Sequence, residues 1–237
     1  MALRTLVIVP TLNERENLPA LAAGIFAQVP ATDLLVVDDN SPDGTGAVAD
    51  DLAANDRRVQ VLHRPRRLGI GSAYVQGFQR ALAQGYDAVV SMDADWSHDP
   101  TYLPALIAGA DGHALVVGSR YLHGISVVNW DLRRLILSTG ANAYVRAITR
   151  LPLRDCTSGF QCIRREALDA IGLASIRTNG YSFLVELKYR IFRRGFPMTE
   201  IPIVFTQRRH GSTKMTQREI WLSLVNVWKL RLGLYQG

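Results

Sequence analysis

The triplet Asp93-Ala94-Asp95 closes an apolar run at 88–92. Two carboxylates at i and i+2 point the same way as long as the backbone stays extended. Such a pair suits a hard divalent cation, held by one or two carboxylates and completed by water and phosphate oxygens. The plain alternative is a solvated pair of aspartates in a turn. Position argues against it, because three other polar clusters, at 10–14, 38–45 and 118–121, also follow apolar runs. Cations are available for an anionic ligand: the chain carries 27 Lys and Arg against 21 Asp and Glu, a formal charge of +6. The excess is uneven. Residues 131–154 hold five arginines (133, 134, 146, 150 and 154) against Asp131, and from Phe205 onward six Lys or Arg face Glu219 alone. A basic balance suits phosphorylated substrates, acidic headgroups or nucleic acid. The basic residues lack the interleaved aromatics of a base-stacking surface, so nucleic acid is not an expected partner.

Other chemistries fit less well. Cys156 and Cys162 have no second pair and no zinc spacing, and read as reduced thiols of a cytosolic protein. Gly69-Ile70-Gly71 opens a helical pattern, but the third glycine of a dinucleotide fingerprint is replaced by Tyr74 and the glycines do not follow the first strand. No Walker-type loop or serine-nucleophile elbow is present. His98, His123 and His210 read as polar surface or structural residues.

The elements that position these groups follow from the apolar pattern. Residues 5–9 form a β-branched run ended by Pro10, and 34–37, 59–63, 88–92 and 114–117 are further short apolar runs, each read as a buried strand. Asn13 is expected to cap a helix with Leu18, Leu21, Ala22, Ile25 and Phe26 on one face. Further helices are expected after 45, over 69–84 and over 100–110. Alternation of continuous apolar strands with helices predicts an α/β chain with a mostly parallel, doubly wound sheet covered on both faces. In such sheets ligands bind beyond the carboxyl ends of the strands, where all four polar clusters fall. After Tyr121 the rhythm changes. A basic amphipathic helix is expected over 131–150, another helix over 180–194, a strand over 198–205 and an amphipathic tail over 217–235. Length and pattern indicate one domain of 237 residues.

At this point a resemblance becomes specific. The stretch 10–18 (PTLNERENL), the stretch 38–45 (DDNSPDGT) and Met92-Asp93-Ala94-Asp95 resemble the motifs of inverting family 2 glycosyltransferases with the GT-A fold. The segments Gly118-Ser119-Arg120-Tyr121, 129–134 (NWDLRR), 155–160 (DCTSGF), Gly180-Tyr181-Ser182-Phe183 and 208–214 (RRHGSTK) are closest to the polyprenol (dolichol) phosphate mannose synthases. The resemblance implies a nucleotide-sugar half at about 1–121, an acceptor and lipid side at about 122–216, and an amphipathic tail at 217–237. Pro10, Leu12, Glu14, Val37 and Asp39 would hold the nucleoside, and Leu12 stands where this family usually has Tyr. Asp93, Ala94 and Asp95 would contact the sugar nucleotide. Asp93, Asp95 and Ser97 would hold Mg²⁺ or Mn²⁺, with Asp95 the main ligand. Asp95 and Arg120 would be catalytic, Arg120 sitting where diphosphate and acceptor phosphate meet. Arg208 and Lys214 would close over the diphosphate, and Arg133 and Arg134 would receive the acceptor phosphate. Gln161 replaces an Arg common in relatives, which would remove a cation near that site.

The implied reaction is transfer of mannose from GDP-mannose to a polyprenyl phosphate with inversion. A sugar hydroxyl needs a positioned base, whereas a phosphate monoester, with a second pKa of about 6, is already anionic. The chain offers arginine in quantity after residue 118, and no carboxylate or histidine there stands out as a base by motif. The same fold with UDP-glucose or UDP-N-acetylglucosamine, and a non-catalytic sugar-nucleotide-binding subunit, are the alternatives. No uncharged run approaches the ~20 residues that span a bilayer. The chain stops at Gly237, so it is expected to be cytoplasmic and peripheral on the cytoplasmic face of a membrane, docking directly or through a separate membrane-anchoring protein.

Overall fold

The computed structural model describes residues 3–176, 178, 180–206 and 217–234, without the side chains of 181 and 217–220. The first half alternates as its apolar pattern requires: β1 (Thr5–Thr11), α1 (Leu18–Gln28), β2 (Asp33–Asp38), α2 (Thr45–Asn55), β3 (Val59–His63), α3 (Ile70–Ala83), β4 (Ala88–Ser91), a short 3₁₀ turn, α4 (Leu103–Gly109) and β5 (Leu115–Ser119). Along β1, Leu6 and Ile8 join one apolar cluster while Val7 and Val9 join the other; β2 splits the same way, with Leu35 and Val37 opposite Leu34 and Val36. Strands buried on both faces need continuous apolar runs, which is why these segments lack alternation. α1 and α4 cover one face and α3 the other.

Two local expectations need correction. Pro10 does not end β1, which runs on to Thr11 with Pro10 opposite Val37. Met92 N donates to Ile8 O, so residue 8 turns its polar groups toward β4. Pro10, two residues on, faces the same side beyond the last β4 partner, Ser91, and its missing N–H costs no ladder bond. Asn13 does not cap α1. It adopts a left-handed φ of 62°, and the helix starts five residues later at Leu18, after a turn in which Asn17 N and Leu18 N both donate to Glu14 O.

Among the described residues, seven strands form one sheet in the order β3-β2-β1-β4-β7-β5-β8. β7 (Gln161–Arg164) is the antiparallel member, inserted between β4 and β5, and β8 (Met198–Pro202) pairs parallel with β5. The single strand expected over 198–205 is two pieces: β9 (Phe205–Thr206) leaves the main sheet and pairs with β6 (Val127–Val128). α5 (Leu132–Thr149), α6 (Arg165–Ala170), α7 (Gly180–Arg193) and α8 (Gln217–Arg231) complete the chain. α8 buries Val227 and Leu230. It is tied to α5 by Tyr144 Oη, which donates to Leu224 O at 3.1 Å. Both cysteines are free and buried, and burial pushes each thiol up to about 12. Among the described residues no helix is long and apolar enough to cross a membrane.

Candidate active site

The carboxyl ends of β1, β2 and β4 are each followed by a residue with left-handed backbone: Asn13 (φ 62°), Asn40 (φ 59°) and Trp96 (φ 63°). Asparagine tolerates this region; for tryptophan it is an outlier held by its surroundings. These turns reverse the chain at the sheet edge. The loops after β1 and β2 are then stitched together. Asn13 N donates to Ser41 Oγ (3.1 Å), Glu14 N to Thr45 Oγ1 (2.9 Å) and Arg15 N to Asp43 Oδ2 (3.2 Å). Asp38 is buried and accepts from Thr11 Oγ1 and from both Ser41 N and Oγ. Of the two adjacent aspartates, Asp38 is thus part of the frame.

Asp39 is also engaged. Its Oδ1 accepts from Arg64 Nη1 (2.8 Å) and Leu68 N (2.9 Å), and its Oδ2 from Gly69 N (2.9 Å). Gly69 has φ +89°, a conformation that favours glycine, and this aims its amide at Asp39. The glycine that opens α3 therefore anchors an acid and does not cradle a dinucleotide. A carboxylate has about four lone-pair directions; those three bonds leave one, on Oδ2. Leu12 and Glu14 are half-buried beside this edge and Val37 is buried within it. Glu14 Oε2 accepts from Asn17 Nδ2 at 2.7 Å.

After β4 the chain does not stay extended. It bends from Ala94 to His98, so the i, i+2 argument for parallel carboxylates does not hold. The bend separates the two acids by burial: the Asp93 side chain is 26% exposed, whereas Asp95 is 3% exposed. Asp95 Oδ1 accepts from Ser97 N at 3.1 Å. Asp93 N donates to His98 Nδ1 at 3.0 Å, so the ring is neutral with its proton on Nε2. Burial holds the His98 pKa below its ordinary value, with Asp93 opposing. His98 stacks on Phe160 at 4.8 Å, and Tyr74 Oη lies 3.4 Å from Asp93 Oδ1. His98 is thus a structural prop for the triplet.

Ser97 Oγ is buried and has no hydrogen-bond partner. An orphaned buried hydroxyl costs about 1–3 kcal/mol unless a ligand satisfies it. Asp93, Asp95 and Ser97 together offer only oxygen, which fits a hard cation completed by water and phosphate. Among the described residues no group of three or more His, Cys, Asp or Glu forms a closed metal cage. That suits an ion whose remaining ligands arrive with a substrate.

Arg120 follows β5 and is fixed from several sides. Its Nε donates to Asp155 Oδ2 at 2.6 Å and its Nη2 to Asp155 Oδ1 at 2.7 Å and Thr157 Oγ1 at 2.8 Å. The arginine side chain is 7% exposed and the aspartate fully buried. Burial alone would raise the Asp155 pKa, but the charge and hydrogen bonds of Arg120 overcome it and hold the carboxyl below the usual range. The guanidinium also lies over Tyr121, Trp130 and Phe205, 5.4–5.6 Å from each ring centroid. The segment 155–160 runs from this ion pair back to the triplet. Ser158 Oγ donates to Gly118 O, Ser91 Oγ donates to Gly159 O, and a Cβ on Gly159 would stand 4.0 Å from Asp93 Oδ1. Beneath it, Lys188 is fully buried and donates from Nζ to Ser158 O at 2.7 Å; burial pushes its pKa down to about 8.

The edge therefore gathers Pro10, Leu12, Glu14, Val37 and Asp39 at one end, and Asp93, Ala94, Asp95 and Ser97 after β4. The shared segment 155–160 links the triplet to Arg120. Arg133 is exposed and Arg134 half-buried in the first turn of α5, where Asp131 Oδ1 accepts from Arg134 N at 2.7 Å. Arg208 and Lys214 lie outside the described residues. Gln161 is fully buried on β7 opposite Ser91, its amide without partners, so the replacement of arginine there alters the sheet interior. Sequence reasoning gave no role to Asp155 or Lys188. A lone acid closing the arginine-rich stretch was the available signal for Asp155; a lysine at one position of an amphipathic helix gave none for Lys188.

The fold resembles that of glucosyl-3-phosphoglycerate synthase from Mycobacterium tuberculosis in complex with Mn²⁺ and UDP-glucose. The match covers 98% of this chain and 79% of that one, at TM-score 0.68 and 22% identity. Sequence relatives are closer. Polyprenol monophosphomannose synthase of Mycolicibacterium smegmatis is 45% identical over 232 residues, covering 96% of this chain and 88% of the relative. Undecaprenyl-phosphate mannosyltransferase of Micrococcus luteus is 43% identical over 231 residues, covering 98% and 95%. The model of glycosyl transferase family 2 matches residues 6–172, a span that holds the stitched loops, the aspartate triplet and the Arg120–Asp155 pair, and the chain belongs to that family.

Proposed function

We propose that this glycosyltransferase moves mannose from GDP-mannose to a polyprenyl (dolichyl-type) phosphate with inversion, releasing GDP. One observation carries the reading. The acids beside Arg120 are committed inside the protein: Asp155 to the ion pair, and Glu200 to Arg154 N (2.7 Å) and Asp155 N (2.8 Å). Among the described residues that side of the site sets Arg120, Arg133 and Arg134 beside acids already engaged in hydrogen bonds, Asp131 among them, which suits an acceptor that is already anionic. The two relatives are named for mannose and for polyprenol or undecaprenyl phosphate, in agreement.

In this reading an oxygen of the lipid phosphate attacks the anomeric carbon. The bond from that carbon to the diphosphate oxygen breaks, and GDP leaves with the electron pair. An α-linked donor gives a β-linked lipid phosphosugar. Asp93, Asp95 and Ser97 would hold Mg²⁺ or Mn²⁺, which neutralises charge on the diphosphate. Pro10, Leu12, Glu14, Val37 and Asp39 bind the nucleoside, and Ala94 lines the sugar-nucleotide pocket. Arg120 orients both phosphates; Arg133 and Arg134 receive the acceptor, and Arg208 and Lys214 close on the donor. Residues 1–121 thus supply mainly the donor side and 122–216 the acceptor side. Holding both substrates on fixed cations supplies rate through proximity.

The acceptor is a lipid, and the helices that flank Arg134 expose apolar side chains. Leu132 and Ile136 on α5, Trp221 and Trp228 on α8, and Leu232 just after it, are 51–69% exposed. Arg133, Lys229 and Arg231 sit among them. Apolar and basic groups on one pair of packed helices complement an anionic bilayer surface, as on a cytoplasmic leaflet. We assign this face, with the tail 217–237, to peripheral membrane contact.

The test combines the protein, Mg²⁺ or Mn²⁺, labelled GDP-mannose and vesicles carrying a polyprenyl phosphate. Labelled lipid is expected, with far less from UDP-glucose or UDP-N-acetylglucosamine. No labelled lipid from GDP-mannose would sink the reading. In the same preparation the protein should float with vesicles rich in acidic lipid and stay behind with neutral ones.

A further inference from the structure

One aromatic ring lies between the buried Arg120 and the exposed start of α5. Trp130 follows Asn129, whose left-handed φ of 62° turns the chain out of β6. The Arg134 guanidinium lies 4.1 Å from the Trp130 ring centroid and that of Arg120 5.6 Å from it. Phe205, held by the β6–β9 pair, packs edge-on against the same ring at 5.5 Å. Both cations are within the range at which an aromatic face attracts them. Arg120 is fixed by Asp155, whereas the side chain of Arg134 has no carboxylate partner among the described ion pairs. Tyr121 lies near both cations, but Trp130 is the described ring that both guanidinium groups lie over. The indole N–H gives no other reason for tryptophan: Nε1 is buried and has no hydrogen-bond partner.

We propose that Trp130 is a positioning residue of the acceptor side. Its face sets the place of Arg134 relative to Arg120, so that the two guanidinium groups form one site for a phosphate monoester. The inference rests on the proposed phosphate acceptor. Two like charges beside one ring repel each other, and an anion between them relieves the repulsion. Arg134 also stands in the first turn of α5, where the helix end favours a negative group. The ring face does the positioning, so phenylalanine can replace tryptophan and an aliphatic side chain cannot.

The test reads acceptor binding apart from turnover. Calorimetric binding of farnesyl phosphate, a short isoprenyl phosphate, is measured beside steady-state transfer from labelled GDP-mannose. Trp130→Leu is expected to weaken farnesyl phosphate binding and raise acceptor KM by about tenfold, a loss of the size of one cation–π contact. Donor KM should not move. Trp130→Phe should restore acceptor binding to within about threefold and, by removing the orphaned N–H, leave the melting temperature unchanged or higher. Arg134→Gln, at a half-buried helix position, should show the same loss, and combining it with Trp130→Leu should add little, because both act through one contact. Additive losses overturn the proposal, as do a Trp130→Phe variant as weak as Trp130→Leu, an Arg134→Gln variant that binds like the wild type, or a wild type that does not bind farnesyl phosphate. A wild type that binds the phosphate through Trp130 but transfers no mannose overturns the proposed function and leaves this inference standing.

Discussion

The two ends of the sheet edge use charge in opposite ways. After β4, Asp93 keeps a quarter of its side chain in solvent and Ser97 Oγ has no partner. After β5, Arg120 and Asp155 are buried and bound to each other through two short hydrogen bonds. The first arrangement is incomplete until something arrives. The second is complete and holds a cation in place before anything arrives. In the candidate metal site the Ser97 hydroxyl is left short of a partner; in the candidate phosphate site Arg120 is saturated. The segment 155–160 joins the two ends, and Phe205 bridges them as well, edge-on to His98 and beneath the Arg120 guanidinium.

The largest effect expected from this contrast is at the saturated end. Asp155→Asn leaves the guanidinium of Arg120 buried without its countercharge. Breaking a buried pair from one side costs about 3–5 kcal/mol. Urea denaturation at neutral pH should show a loss of this size, together with loss of transfer. Because the folded-state pKa of Asp155 is lowered, its contribution is fully present above the unfolded carboxylate range and fades as pH falls through the lowered value. The wild type should therefore lose more stability in acid than Asp155→Asn does. Equal stability of the two proteins at neutral pH would remove the saturated end from the comparison.

Next in size is the open end. Asp95→Ala removes a ligand of the candidate metal site. Transfer should fall ~100- to 1,000-fold, the scale of losing one preorganised stabiliser of developing charge. Stability should move by much less than in Asp155→Asn, since no buried arginine loses its countercharge and the bond from Ser97 N is a single neutral donor's. Full activity in Asp95→Ala would overturn the metal assignment. A stability loss like that of Asp155→Asn would show that both ends are structural.

The open end was the more legible one in the sequence. β1, β2 and β4 are continuous apolar runs with turn residues behind them, and a parallel sheet brings the clusters at 10–14, 38–45 and 93–99 to one edge. What the pattern could not reveal was backbone reversal. Asn13 looks like a helix cap and is instead a left-handed turn; Trp96 carries the same φ with no local signal. At the saturated end the sequence marked Arg120 and the stretch 155–160 but not what joins them. β7 is four residues, Gln-Cys-Ile-Arg, running straight into α6, too short and too polar to read as an inner strand. Its insertion is set by pairing with β4 and β5 across long stretches of chain, which local periodicity does not encode. Asp155 finds Arg120 across 35 residues for the same reason.

Lys188 offers the finest probe, because it is a buried charge of a third kind. Its ammonium has a backbone carbonyl, Ser158 O, as its close acceptor, and it sits beneath the segment that joins both ends. Burial pushes its pKa from 10.5 down to about 8. Below pH 8 the folded and unfolded chains both carry the proton, and the cost of burying it is fully felt. Between about 8 and 10.5 the folded chain has released the proton and the unfolded chain has not. Stability should therefore rise with pH across that window, by up to about 3 kcal/mol from this group. Cys156 and Cys162, pushed up to about 12, work the other way from about pH 9, and Tyr74, raised by burial, does so above pH 10, but all three do so in any variant that keeps them, so the contribution of Lys188 is read as a difference between proteins. Lys188→Met should abolish the alkaline rise, which urea denaturation at pH 7 and pH 9.5 would read as a difference between the two proteins. At pH 7 the variant should lie near the wild type, because relief from a buried charge offsets the unpaired Ser158 carbonyl. If Lys188→Met instead behaved like Asp155→Asn at pH 7, the lysine would belong to the saturated ion-pair network, and the boundary between the two ends would move from segment 155–160 into α7.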